Sequence, residues 1–108
     1  MYKYQSESTD RLFRAILGLG SLEECYAFFD DLCTIKEIKD MAQRLEGASM
    51  LLEGANYQTI CAKLGLSTAT ISRISRCLNY GSGGYAAAIE RLEKEETADG
   101  GKPEDAGK

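Results

Sequence analysis

The chain has 108 residues, of which 44% are hydrophobic and 28% are charged. This length suits one domain, and the apolar fraction is high enough for a core, which argues against disorder throughout. The formal net charge of −4 excludes a protein that coats nucleic acid by bulk positive charge, but it leaves room for a local basic patch. The lack of histidine removes histidine-based catalysis and histidine-ligated metal sites.

The cysteines indicate a reducing compartment. Cys25, Cys33, Cys61 and Cys77 form no C-x-x-C pair, so neither a zinc ribbon nor a thioredoxin motif is predicted. We expect reduced thiols, buried or partly buried, in a cytoplasmic protein, with a disulfide framework as the weaker alternative. The first residues lack the apolar run of a signal peptide, and the longest uncharged run, 77–89, is too short to span a membrane.

Helical periodicity dominates the chain before residue 93. Apolar residues recur there at three- and four-residue spacing, and the only proline is Pro103, so we predict an all-α fold of about six helices. Capping boxes are predicted at Ser21 and Thr34, and Gly54 is predicted to end the third helix. The predicted helices cover 10–19, from 21, 34–54, 57–64, 68–79 and 85–96.

These helices are short, and six of them make a thin core for a monomer. We therefore expect an obligate homodimer, with a compact monomeric bundle as the alternative. Residues 1–92 are predicted to form one helical domain that includes the dimerisation surface, with a helix-turn-helix at about 57–79. Residues 93–108, rich in acidic residues and glycine, are predicted to hold the end of the last helix and a disordered tail.

The segment 57–78 has the features of a helix-turn-helix. Gly65 lies at the turn, where a positive φ is accessible at low cost only to glycine, and Ala62 is predicted to lie at the close crossing of the two helices. The second helix presents small and hydroxylated residues in its first turns, which lets a helix enter the major groove and contact base edges. The outward-facing residues of this second helix are Thr68, Ala69, Thr70, Ser72, Arg73 and Arg76.

The charge of this segment also supports the prediction that residues 1–92 form a DNA-binding as well as a dimerisation domain. From Gly54 to Tyr80 the chain has three basic residues, Lys63, Arg73 and Arg76, and no acidic one. Phosphate contacts are expected from these three and from Gln58, while Thr68, Ala69, Thr70 and Ser72 are expected to read sequence. The alternative is an ordinary helix pair with a solvated polar face.

The stretch from Leu64 to Leu78 resembles the reading region of the Trp repressor. It shares the Leu-Gly pair, the Ala-Thr-Ile-hydroxyl-Arg core, and a serine and a leucine at matching offsets. Upstream residues also fall in register, and the likeness covers about residues 10–92. The ending Asn79-Tyr80-Gly81 and the short N-terminus are most similar to the YerC/YecD-type relatives of that repressor. The upstream matches are Thr34, Glu37, Arg44, Leu51, Leu52 and Gly54.

The resemblance implies an intertwined homodimer that binds a near-palindromic duplex operator and regulates transcription, with repression as the family default. It also places Thr34, Arg44 and Arg73 where the repressor holds its tryptophan ligand. Two departures occur at this pocket, because Ile74 stands where the repressor has glycine and Cys77 stands where it has serine. A branched side chain at position 74 fills the space for the indole ring, so we expect no tryptophan corepressor and assign no other effector or cofactor.

Three other functions remain open. The helix-turn-helix could serve as a protein-interaction module with the transcription machinery. The chain could be a non-specific or replication-linked DNA binder, since the duplex-binding domain of the replication initiator resembles this fold. An enzyme is the weakest alternative, because no nucleophile–base pair, metal set or cofactor loop is visible.

Overall fold

The computed structural model describes residues 2–98, and within them the chain forms six helices and no strand. This confirms the all-α prediction. The contacts divide the chain into an N-terminal unit that ends at Lys39 and a C-terminal unit that begins at Asp40. The helices are α1 Glu7–Leu17, α2 Leu22–Leu32, α3 Ile35–Leu52, α4 Tyr57–Leu64, α5 Thr68–Tyr80 and α6 Gly84–Ala98.

Helix α1 begins three residues before the predicted start at Asp10. The reason is local capping: the Ser6 hydroxyl accepts a hydrogen bond from the Thr9 amide at 3.1 Å, which satisfies one of the free amides of the first turn. The prediction missed this cap because it followed the apolar stripe, which starts later. At the other end α1 stops at Leu17, and Gly18 is its C-cap.

Helices α2 and α3 begin at the predicted caps. The Ser21 hydroxyl accepts from the Glu24 amide at 3.1 Å, while the Glu24 carboxylate accepts from the amide of Gly20, one residue before the cap, at 2.7 Å. At α3 the capping box is reciprocal: the Thr34 hydroxyl accepts from the Glu37 amide at 3.1 Å, and the Glu37 carboxylate accepts from the Thr34 amide at 2.8 Å. Each cap fixes its helix start from sequence-local interactions.

The N-terminal unit leaves large apolar side chains in contact with solvent. None of residues 2–39 is buried in the single chain. In helix α2, Leu22 and Tyr26 lie four residues apart on one face, and they are 75% and 70% exposed. Most of the exposed large apolar residues of the described chain lie in this unit: Tyr2, Tyr4, Phe13, Leu17, Leu22, Tyr26, Leu32 and Ile35.

The C-terminal unit has a compact core built on three helices. Ala48 from α3, Ile74 from α5 and Ile89 from α6 are buried together. Ile60 and Ile71 are also fully buried and belong to α4 and α5. Half-buried side chains complete the cluster around Ile74: Leu45, Leu51, Leu66, Leu78 and Tyr85.

The end of α3 confirms the predicted glycine stop. Gly54 has φ +96°, the Gly54 amide donates to the Leu51 carbonyl at 3.0 Å, and the Ala55 amide donates to the Met50 carbonyl at 3.0 Å. This is the hydrogen-bond pattern of a Schellman cap, which turns the chain sharply after a helix. The turn leads directly into α4.

Helix α6 extends from Gly84 to Ala98, so it starts one residue before and ends two residues after the predicted range. Gly84, which the prediction left outside this helix, is therefore its first residue. The predicted disordered tail beyond Ala98 lies outside the described residues. Across residues 2–98, no helix is long and apolar enough to cross a membrane.

Candidate nucleic-acid interface

Helices α4 and α5 and the turn between them form the predicted helix-turn-helix, which we call the reading head (residues 57–80). Asn56 caps α4 by accepting from the Thr59 amide at 2.8 Å. The helix ends at Gly65, which has φ +73° and ψ 18° and donates its amide to the Cys61 carbonyl. An L-residue in this left-handed conformation costs about 1 kcal/mol or more, so backbone geometry favours glycine at the turn. Both helices have the predicted starts.

Helix α5 exposes most of its predicted reading face. Thr68, Ala69, Ser72, Arg73 and Arg76 are exposed, while Ile71 and Ile74 on the opposite face are buried. The spacing of the exposed set places its members on one side of the helix over about 12 Å. The buried isoleucines therefore hold a polar face outward, and small side chains (Thr68, Ala69 and Ser72) occupy its first turns.

Ser67 and Thr70 form a small hydroxyl network at the start of α5. The Ser67 hydroxyl oxygen accepts from the Thr70 amide at 3.1 Å and donates its own proton to the Thr70 hydroxyl oxygen at 3.0 Å. The proton of the half-buried Thr70 hydroxyl is thus left to donate to an outside acceptor. Suitable acceptors on base edges are purine N7, guanine O6 and thymine O4.

The basic side chains of the reading head form no ion pair with acidic side chains of the described part of the chain. Lys63, Arg73 and Arg76 are all exposed, and none of them forms an ion pair within residues 2–98. Gln58 is exposed near the start of α4. The three cations are therefore available to phosphates without first breaking an internal salt bridge.

Of the five residues of the expected effector pocket, one is buried and four are exposed. Ile74 is only 2% exposed and packs in the core against Ala48 and Ile89, so its side chain occupies space within the protein. Arg44, Arg73 and Cys77 are exposed. Thr34 belongs to the N-terminal unit, where its hydroxyl caps α3.

Two residues of α3 that the sequence did not single out support the reading head. The Gln43 side-chain amide donates a hydrogen bond to the Leu64 carbonyl at the end of α4, at 2.8 Å. Gly47 is buried, and a Cβ built on it would lie 3.3 Å from Leu66 Cδ1 and 3.4 Å from Ile74 Cδ1. Helix α3 therefore contacts both the turn and α5.

Two smaller predictions need correction. Ala62 is exposed, so its predicted place at a close crossing of α4 and α5 is wrong. The close approach at Gly47 is a different one, between α3 and the side chains of Leu66 and Ile74. All four cysteines are free, and three are partly buried as expected, but Cys77 is exposed. It lies on the solvent side of α5, because the inward positions are taken by Ile74 and Leu78. No group of three or more potential metal ligands occurs in the described part of the chain.

Comparison with known proteins agrees with the six-helix fold described above. The family model described as "Trp repressor protein" matches residues 7–93. The chain is 54% identical over 100 residues to the uncharacterized protein YerC of Bacillus subtilis (strain 168), covering 93% of this chain and 96% of that protein. A TrpR-like protein from Eubacterium eligens ATCC 27750 superposes with a TM-score of 0.81 at 50% identity, covering 84% of this chain and 94% of the other. A protein from Staphylococcus aureus, provisionally described as a Trp repressor, gives a TM-score of 0.81 at 47% identity, with 84% and 91% coverage.

Proposed function

Because the chain belongs to the Trp repressor family, whose members are helix-turn-helix DNA-binding regulators, we propose that it is a cytoplasmic, sequence-specific transcriptional repressor. In this proposal two copies bind one near-palindromic duplex operator, and each copy inserts its α5 into the major groove. The observation that carries the proposal is the exposed face of α5, with hydroxylated residues in its first turns and exposed arginines beyond them.

The contacts divide into two classes along the reading head. Gln58, Lys63, Arg73 and Arg76 supply phosphate contacts, which set the position of the head on the duplex but carry no sequence information. Thr68, Ala69, Thr70 and Ser72 face base edges, where hydroxyl groups bond to acceptors and the Ala69 methyl group contacts a thymine methyl. The free hydroxyl proton of Thr70 supports its assignment as a donor.

The exposed apolar residues of the N-terminal unit support the homodimer. Leu17, Leu22 and Tyr26 are 83%, 75% and 70% exposed in the single chain. Leu22 and Tyr26 lie four residues apart on one face of α2, and adjacent exposed apolar side chains mark an interaction surface. A second copy of the chain is the proposed occupant, as the family resemblance implies. The two reading heads of such a dimer address half-sites about 34–36 Å apart if they use successive major grooves.

Tryptophan is not the effector in this proposal. Ile74 is 2% exposed and packed into the core, at the position where the repressor has glycine beside the indole ring. Admitting the ring would require the isoleucine side chain to leave this packing. Calorimetric titration of the purified protein with L-tryptophan is expected to show no binding, and a micromolar dissociation constant would contradict this part of the proposal.

The decisive experiment is to select bound sequences from random duplex DNA with the purified protein, with and without added amino acids. We expect one near-palindromic motif that is enriched equally under both conditions. Enrichment without a shared motif would indicate a non-specific binder. No enrichment at low salt would indicate that the helix-turn-helix contacts protein, for example the transcription machinery.

Salt dependence supplies an independent measure of the phosphate contacts. If the three basic residues of both reading heads each neutralise one phosphate, about six counterions are released and the slope of log K against log salt is about −5. A slope near zero would refute the assignment of Lys63, Arg73 and Arg76 to phosphates. The measurement uses the selected duplex and spans about 50–200 mM salt.

A further inference from the structure

The Gln43 side chain lies outside the reading head and forms a hydrogen bond to its turn. The amide nitrogen donates to the Leu64 carbonyl oxygen at 2.8 Å, across 21 positions of sequence. Leu64 is the last residue of α4, and the final carbonyls of a helix have no partner within it. Gln43 therefore caps α4 from a different helix.

Apolar contacts between α3 and the reading head accompany this hydrogen bond, because Leu45, Ala48 and Leu51 of α3 belong to the cluster around Ile74 of α5. Gly47 lies four residues after Gln43, on the same face, and its missing side chain gives room to the methyl groups of Leu66 and Ile74. Such packing resists separation but is weakly directional. A hydrogen bond has a preferred length and angle, so Gln43 restricts sliding and rotation of the turn against α3.

We propose that Gln43 is a positioning residue for operator recognition. It contacts no DNA itself, and it fixes the turn that leads into Ser67, Thr68 and the rest of the reading end of α5. Helix α3 is also the covalent connection between the reading head and the N-terminal unit, which we propose as the dimerisation surface. Gln43 thereby sets the half-site spacing that the dimer accepts. This inference rests on the proposed function.

Loss of the Gln43 hydrogen bond should change how the affinity for an operator depends on the spacing of its half-sites. A head released from this hydrogen bond samples more orientations on α3, so a correctly spaced operator loses affinity while an operator with altered spacing loses less. Base preference within each half-site depends on the face of α5 and stays the same. A residue that served only the stability of the fold would lower affinity for all spacings by the same factor.

The test uses Gln43→Met, which keeps an unbranched side chain of similar length and removes the donor without adding charge. Ala86→Met is the matched control, because it places the same uncharged side chain at an exposed position of α6, outside both the reading head and the N-terminal unit. Affinities of the full-length parent and both variants are measured for the selected operator and for duplexes with one base pair inserted or removed between the half-sites. A scan of single-base changes within one half-site is run in parallel.

For Gln43→Met we expect affinity for the selected operator to fall by about two- to tenfold, the range for one net hydrogen bond. The ratio of affinities between selected and altered spacing should fall at least about twofold, with half-site base preferences unchanged. An unchanged spacing ratio, equal decreases at all spacings, or an equal effect of Ala86→Met would overturn the inference while leaving the proposed function intact. Failure of the parent to prefer any duplex sequence would overturn both.

Discussion

Gly47 offers a sharp test of the packing between α3 and the reading head, because two opposing effects act on its replacement by alanine. A glycine within a helix is less favourable than alanine by about 0.8–1.0 kcal/mol, so Gly47→Ala gains that amount from the backbone. The new Cβ, however, lies 3.3 Å from Leu66 Cδ1 and 3.4 Å from Ile74 Cδ1. Overpacking of a filled core typically costs about 1–3 kcal/mol.

Leu66 and Ile74, the two side chains near the new Cβ, differ in how easily they can move away from it. Leu66 is half-buried and can rotate outward, whereas Ile74 is 2% exposed and held among core residues. Gly47→Ala should therefore change the free energy of unfolding by between about 0 and −2 kcal/mol, the difference of the two terms above. Ile74→Val removes Cδ1, one of the two atoms that the new Cβ approaches, and costs about 0.5–1.5 kcal/mol alone.

In the double variant the crowding by Ile74 is gone and the backbone gain remains. We expect the double variant to be more stable than the sum of the single changes by about 1 kcal/mol. The assay is urea unfolding at one fixed protein concentration, because the stability of a dimer depends on concentration. Gly84→Ala paired with Ile74→Val is the control cycle, since a Cβ on Gly84 meets nothing within 4 Å. A coupling no larger than in this control would refute the close approach of α3 and α5.

Four further predictions concern the operator contacts, the turn and the dimer. Thr70→Ala should cost about 1–3 kcal/mol on the preferred operator and relax discrimination at one base position, as measured by competition with single-base variants; uniform weakening would contradict a base contact. Arg76→Ala should weaken binding to every sequence and make the salt slope less steep by about 1 for each phosphate that is no longer neutralised, whereas the exposed Arg91→Ala on α6 should change neither. Gly65→Ala should lower the free energy of unfolding by about 1–2 kcal/mol from its positive φ alone, since its Cβ meets nothing within 4 Å. Leu22→Glu places a charge on the proposed dimer surface and should shift the sedimentation equilibrium towards monomer; an unchanged mass would exclude Leu22 from that surface.

The helix pattern was largely predictable because its signals are local. Gly54 and Gly65 each adopt the positive φ expected where a helix stops, and the caps at Ser21 and Thr34 form as the spacing of hydroxyl and carboxylate residues requires. The start of α1 was missed because its cap, Ser6, precedes the first apolar residue of the stripe.

The sequence also predicted the main features of the reading head. Periodicity separates the buried Ile71 and Ile74 from the exposed Ser72 and Arg73, and the absence of acidic residues marks the segment as basic without any structure. The assignment of individual DNA contacts stays a prediction. Ala62 shows the limit of pattern reasoning, because its small size did not reveal whether another helix approaches it.

The sequence by itself therefore determined the class of the fold, the helix-turn-helix and the charge of its outer face, since all three depend on neighbouring residues along one helix or turn. Only the tertiary structure decided which residues join the reading head to α3. Gln43 is an exposed glutamine and Gly47 is a glycine within a helix, and neither has a local signal for its partner. Their roles arise because folding brings Leu64, Leu66 and Ile74 against α3. Contacts between residues so far apart in sequence depend on how whole helices pack, which composition and periodicity do not encode.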